Sequence, residues 1–255
     1  MSIKVTFLGT GTSQGVPLIA CDCEVCRSTN HKDKRLRSSI LIESSSTRIV
    51  IDSGPDFRQQ LLREKVKKLD AVVFTHEHKD HIAGLDEVRA FNYINGLRMP
   101  VYASTRVQQA LKREFAYIFA DEKYPGIPEI DLFDINHEAL QIGTLSIELI
   151  DVLHYKLPVK CFKVNQFAYI TDANFIPEEQ KEKLKNLDVL VLNALRRESH
   201  ISHFNFQEAV DLVKELNPRK AYFTHISHQL GLHDEVNKEL PNNIELGFDG
   251  LQLII

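Results

Sequence analysis

Along the chain, apolar positions fall into short runs of period two separated by turn residues, interleaved with longer stretches of helical spacing. Ile3 to Leu8 alternates and then enters Gly9-Thr10-Gly11-Thr12-Ser13, a turn-rich loop. Ser39 to Ile42 and Arg48 to Ile51 read as a hairpin across Ser44-Ser45-Ser46, and the second strand ends in the turn Asp52-Ser53-Gly54-Pro55. Ala71 to Phe74 is an unbroken apolar strand. Thr105 to Phe119 places Val107, Leu111, Phe115 and Ile118 on one helical stripe. Tyr117 to Glu138 has no regular pattern and contains Pro125, Gly126 and Pro128, which predicts a long loop or lid. Leu145 to Val152, Phe167 to Ile170, Val189 to Leu192 and Ala221 to Phe223 then read as strands. Pro177 to Leu187 and Phe206 to Leu216 read as helices. The first carries Pro177 early, where a missing N–H costs nothing, and the second is stopped by Asn217-Pro218. Two β-rich halves, each with helices near its end, predict two sheets packed together with helices outside. That is a four-layer αββα sandwich of the α/β (α+β) class, in a single domain over residues 1–255.

Composition narrows the picture modestly. The chain is 43% hydrophobic and 26% charged, which suits a sizeable globular core. A net charge of −4 argues against bulk coating of nucleic acid. The apolar run at the start is too short for a signal peptide and no segment approaches a membrane-spanning length, so a cytoplasmic protein is expected. Of the four cysteines, Cys21, Cys23 and Cys26 are clustered, which in a cytosolic chain points to metal rather than disulfide. Cys161 stands alone in an apolar stretch and reads as an inert core thiol.

The most informative run is Thr75-His76-Glu77-His78-Lys79-Asp80-His81, directly after an apolar strand. Imidazole and carboxylate in this density suit zinc, manganese or iron. His76 and His78 lie two apart in extended chain and point to one side, so they can grip one ion. Asp80 and His81 follow where the chain turns and can face a second ion, while Glu77 and Lys79 point elsewhere. Gly84 allows a close backbone approach. One run cannot fill two coordination spheres. His154, Asp172 and His225 share a placement at the polar end of an apolar strand, and they are the candidates for the missing ligands.

This order of motifs, with Asp52-Ser53-Gly54 ahead of it, resembles the metallo-β-lactamase superfamily over essentially the whole chain. The resemblance implies the αββα fold and a two-metal site. His76, His78 and His154 would hold the first metal, Asp80, His81 and His225 the second, with Asp172 bridging and Asp52 supporting the ligand loop. A narrower resemblance joins Gly9 to Pro17, the cluster Cys21-Asp22-Cys23-Glu24-Val25-Cys26, Thr224-His225-Ile226-Ser227-His228-Gln229 and Gly247-Phe248-Asp249-Gly250. Together these look like the PhnP-type phosphoribosyl cyclic phosphodiesterases. They imply a structural zinc held by Cys21, Cys23 and Cys26 over residues 21–26 and closed by His228. Cys₃His is a closed zinc set in its own right. His31 is a rival fourth ligand by proximity.

The function so implied is a metal-dependent phosphodiesterase. It would cleave a small cyclic or nucleotide phosphodiester through a hydroxide shared by two divalent metals, zinc or manganese. Asp80 would orient or deprotonate the nucleophile, and His203, which the resemblance places just before a helix, would be the general acid. His200 competes with it for that role. His137 and His233 read as ordinary histidines, in a loop and a surface helix. Arg89, Arg98, Arg196 and Arg197 read as ordinary surface arginines. The alternatives are a tRNA-processing nuclease-like or a lactonase-type hydrolase on the same fold, since fold does not fix function. The expected partner is a small phosphodiester or nucleotide-like substrate, with no membrane; a homodimer is compatible with the sequence.

Overall fold

The computed structural model describes residues 2–122, 124–135 and 139–255. Its first sheet holds β1 (Lys4–Gly9), β2 (Ser39–Glu43), β3 (Arg48–Ile51), β4 (Ala71–Val73), β5 (Met99–Ala103) and β6 (Ile130–Asp134). The second holds β7 (Ala139–Ile142), β8 (Leu145–His154), β9 (Leu157–Val164), β10 (Phe167–Ile170), β11 (Val189–Asn193), β12 (Lys220–Thr224) and β13 (Ile244–Leu246). The last strand, β14 (Gln252–Ile254), returns to the first sheet beside β1. In each sheet an antiparallel meander continues into a parallel half, β3 to β6 in one and β10 to β13 in the other.

Alternation along the strands sorts their side chains into separate apolar seams. Ile49 and Ile51 of β3 join Val189 and Val191 of β11 in the seam between the sheets. Val50 and Val72 face outward instead, onto Phe57, Leu61, Val107 and Leu111 of the first helical layer. Leu190 and Leu192 face outward onto Ala209, Val210 and Val213 of the second. Strands buried on both faces read as continuous apolar runs, which is why Ala71 to Phe74 and Val189 to Leu192 stand out in the sequence. Three seams between four layers make the αββα sandwich.

Several boundaries differ from the pattern-based expectation. The helix from Thr105 ends at Glu114, because Phe115 leaves helical geometry at φ −118 and ψ 42; a separate turn follows at Ala116–Phe119. The four stripe residues are buried in the outer seam all the same. The supposedly irregular Tyr117 to Glu138 contains β6, parallel to β5 from Met99↔Ile130 onward. As a half-exposed edge strand its Ile-Asp-Leu-Phe-Asp pattern is weak. The helix after Pro177 runs only over Glu178–Lys183, with Pro177 just ahead of it. His233 is not a surface histidine. It is buried, and its Nδ1 accepts a hydrogen bond from Arg35 Nη2 at 3.1 Å. His137 lies outside the described residues. Among the described residues no helix is long and apolar enough to cross a membrane.

Candidate metal centre

Seven candidate ligands converge at one end of the two sheets. His76, His78 and His154 bring their ligating atoms together in one group, and Asp80, His81, Asp172 and His225 form a second. His76 belongs to the loop after β4 and His154 ends β8, and their ring centroids are 5.6 Å apart, each about 5 Å or less from that of His78. The two groups adjoin, with the rings of His76 and His81 4.2 Å apart. Every other ligand follows the C-terminal end of a parallel strand, the end where open sheets of this kind place their ligands. Asp52, Asp172 and His225 turn there with φ of +64, +54 and +55. Side chains rarely adopt this region, and such strain concentrates at functional sites. Two glycines bring the loops together. A Cβ on Gly54 would lie 2.0 Å from the carbonyl oxygen of Asp80, and one on Gly84 2.1 Å from that of Gly54.

The outer hydrogen bonds fix which ring nitrogen faces inward. Asp52 accepts from the Thr75 N–H at 2.9 Å, the Thr75 hydroxyl at 2.8 Å and His81 Nδ1 at 2.7 Å. That hydroxyl proton is therefore committed to Asp52, so His76 Nδ1, 3.0 Å from Thr75 Oγ1, must be the donor there. His154 Nδ1 donates to the Ser202 carbonyl at 2.7 Å. Each of these three rings thereby turns Nε2 and its lone pair inward. His225 is reversed: Nε2 meets Thr12 Oγ1 at 3.3 Å and Nδ1 faces the group. The inward nitrogens of His76, His81 and His225 are buried without a hydrogen-bond partner.

These orphaned nitrogens test the fit to metal. His81 Nε2 lies 3.1 Å from Asp80 Oδ2 and 3.2 Å from Asp172 Oδ2, and His225 Nδ1 lies 3.2 Å from the same oxygen. None of these approaches is a hydrogen bond, yet the spacing is close to the edge of about 3.3 Å expected between ligands of a tetrahedral zinc. Electrostatics agree. Burial disfavours a charge on His81, but Asp172, Asp80 and Asp52 outweigh it and hold its pKa well above the usual histidine range. Asp172 is buried too, yet His225 and His81 keep it well below the carboxylate range. A group that gathers positive charge this strongly is one a divalent cation completes.

Residues 47–226 match the family model described as the beta-lactamase superfamily domain. The chain belongs to the metallo-β-lactamase superfamily. A solved structure of a new diphosphatase from the PhnP family is 40% identical, with a TM-score of 0.94, covering 100% of this chain and 98% of that one. An octanoyltransferase of Porphyromonas gingivalis is 38% identical over 256 residues, 99% of this chain and 52% of that protein, so the chain spans about half its length. Exodeoxyribonuclease WalJ of Streptococcus pneumoniae is 23% identical over 81% of this chain.

Beside this superfamily site lies a second constellation. Cys21, Cys23, Cys26 and His228 converge, with His228 Nδ1 3.4 Å from Cys21 Sγ and 3.3 Å from Cys23 Sγ. The corresponding edge of a tetrahedral zinc site is about 3.6 Å. The His228 contact, chiefly, pulls the Cys23 thiol down to about 6, while burial pushes Cys26 up to about 11. His31 is elsewhere, edge-on to Phe248. The Gly9–Gly15 loop is the brace between the two constellations: Thr12 N donates to the Ile226 carbonyl at 3.0 Å, and Ile226 N to that of Thr10 at 2.8 Å.

His203 sits against the ligands, its ring 4.5 Å from that of His154 and 4.8 Å from that of His225. Burial, then the charge of His225, pushes its pKa down to about 2. His200 is more exposed, and its Nδ1 accepts from Ser202 N at 3.3 Å. Glu77 and Lys79 point away from the ligands and pair with Arg106 and Glu114. Cys161 is buried, its thiol raised by desolvation. Sequence reasoning missed a cleft of about 530 Å³ at the exposed side of His78, lined also by Arg106, Tyr155 and Lys156. These residues come from two segments with no shared pattern.

Proposed function

We propose that this chain is a metal-dependent phosphoric ester hydrolase acting on a small phosphodiester or a nucleotide-like diphosphate. The observation that carries the reading is the pair of adjoining ligand groups in which the inward nitrogens of His76, His81 and His225 are buried without a hydrogen-bond partner. His76, His78 and His154 would hold one divalent ion and Asp80, His81 and His225 a second, with Asp172 between them; zinc and manganese both suit these donors. When bound, the two ions supply a nucleophile at neutral pH and offset charge building on the phosphoryl oxygens.

The chain's own residues do the rest. Asp52 locks the tautomer of His81, and Asp80 orients the nucleophile from the same short turn, Lys79–Ile82. His203, its ring 4.5 Å from that of His154, is the candidate proton donor to the departing oxygen, its charged form favoured once an anionic phosphate lies beside it. The Cys₃His group closes a structural zinc that fixes the loop carrying both His225 and His228. The PhnP-family diphosphatase adds a phosphoanhydride to the bonds to be tried. Octanoyl transfer belongs to a protein twice as long as the matched region. Hydrolysis of bis(p-nitrophenyl) phosphate with added manganese or zinc tests the proposal. Asp80→Ala should lower turnover at least about 100-fold while circular dichroism stays native. Full activity in that variant would overturn it.

A further inference from the structure

The cleft beside His78 is electrostatically one-sided. His78 is the exposed member of the first ligand group, so this cleft is where that group opens to solvent. None of the residues lining it is acidic, and it presents both Arg106 and Lys156. Arg106 is already aimed. Its Nε donates to Glu77 Oε1 at 2.5 Å, and Glu77 lies in the chain between the ligands His76 and His78. Among the described residues its two terminal NH₂ groups make no hydrogen bond. A guanidinium held by its Nε with its outer fork free is built for bidentate contact with a phosphate. Lys156 has no ion pair among the described residues; its ammonium lies 5.3 Å over the ring of Tyr155.

Tyr155 supplies the other half of the argument. It follows His154 directly and adopts φ +57, unusual for a bulky side chain. Its N–H is tied to Asn174 Oδ1 at 2.6 Å, two residues beyond Asp172. The strained tip leaves Tyr155 49% and Ile201 66% exposed at the same cleft. Exposed apolar surface beside cationic side chains is suited to a flat ring carrying phosphate.

Resting on the hydrolase reading above, we infer that this cleft is a subsite for a second phosphate and its attached ring, so that the substrate class is the organic diphosphate of nucleoside type. Arg106 and Lys156 hold the distal phosphate, and Tyr155 and Ile201 receive the ring, while the scissile phosphorus lies over the ligand groups.

Two measurements test this. Calorimetric titration of the Asp80→Ala variant with ADP, AMP and inorganic pyrophosphate reads binding with little turnover. ADP should bind at least about tenfold more tightly than either of the others. Unchanged affinity in Lys156→Glu for AMP, which carries only the ring and its own phosphate, would overturn the second-phosphate subsite, and equal affinity for ADP and pyrophosphate would overturn the ring contact. The ratio of kcat/KM for ADP-ribose to that for bis(p-nitrophenyl) phosphate reads specificity. Lys156→Glu should lower that ratio at least about tenfold, and Lys156→Arg should preserve it. An unchanged ratio in Lys156→Glu would sink the inference while the hydrolase reading stands. Loss of all phosphoester hydrolysis in the parent would sink that reading, and the ADP titration would still decide on the cleft.

Discussion

Replacing Asp52 by Asn keeps the shape of the side chain and removes one acceptor, so its consequences follow from the three hydrogen bonds described above. Oδ2 accepts from the Thr75 hydroxyl and from His81 Nδ1, and Oδ1 accepts from the Thr75 N–H. An amide placed with its oxygen at the Oδ2 position keeps two bonds and sets its NH₂ against the Thr75 N–H. The flipped amide keeps only one. The first orientation therefore prevails, leaving a buried donor without a partner at a cost of about 1–3 kcal/mol. The bond to His81 survives but loses its charge assistance, worth about half its strength. His81 becomes a poorer ligand, so affinity for the second metal should fall about tenfold, the low end for groups that orient ligands. Asp52→Ala removes all three bonds and frees the His81 tautomer, and the loss should approach about 100-fold.

The assay is competition between apoprotein and a zinc chelator of known affinity, read as metal content after equilibration. Asn should fall between parent and Ala, and excess metal should restore most of the activity of the Asn variant. Metal affinity equal to the parent's in both variants would refute the claim that Asp52 acts through His81. Equal, full-sized losses in both would refute the acceptor count.

Three further outcomes are expected. Cys23→Ser should lower the melting temperature, and remove one zinc per chain, more than it lowers turnover at saturating metal; a parent-like melting curve would remove the structural-zinc role. His203→Ala should slow diesters with poor leaving groups about 100-fold or more, and p-nitrophenyl esters less, because only a poor leaving group needs its proton; equal losses would exclude proton donation. His233, buried against Arg35, is held down to about 4 from the usual 6.5, chiefly by desolvation. The unfolded chain then binds the extra proton, so this contribution to stability is complete above about pH 6.5 and is lost as pH falls toward about 4. His233→Gln should lose less melting temperature than the parent between about pH 7 and about pH 5, and parallel curves would refute the linkage.

The candidate ligands were legible because the fold delivers them through chain geometry. A strand buried on both faces is a short apolar run, and the first residues past its end are the first free to be polar. His76, Asp172 and His225 all stand at that boundary, so Ala71 to Phe74, Phe167 to Ile170 and Ala221 to Phe223 point to them. His228 needed the family resemblance, because it reaches the cysteines only through the bridge between Gly11 and Ile226, and no local pattern announces that pairing. Strands β5 and β9 were missed for opposite reasons. Pro100 argues against a strand at β5, yet it lies ahead of the ladder with β4, which starts at Val72↔Val101. In β9 the half-buried positions carry Lys160 and Lys163, paired with Asp151 and Glu148 across from β8.

The cleft obeys no such rule, and that difference bears on specificity. Arg106 comes from the first turn of the helix at Thr105–Glu114, and Tyr155 and Lys156 from a hairpin tip some fifty residues later. Each alone is an ordinary surface residue. What unites them is the candidate ligand frame itself: Glu77, inserted between two candidate ligands, aims Arg106, and His154, a third, fixes where the tip begins. The strand ends that build the candidate metal groups would thus also set the position of the proposed second anchor. Loops hung from that frame can vary what is bound while the ligands stay fixed, which is how one fold carries many hydrolytic specificities. On this argument, exchanging the Tyr155-Lys156 tip should change which ester is preferred before it changes whether metal is held.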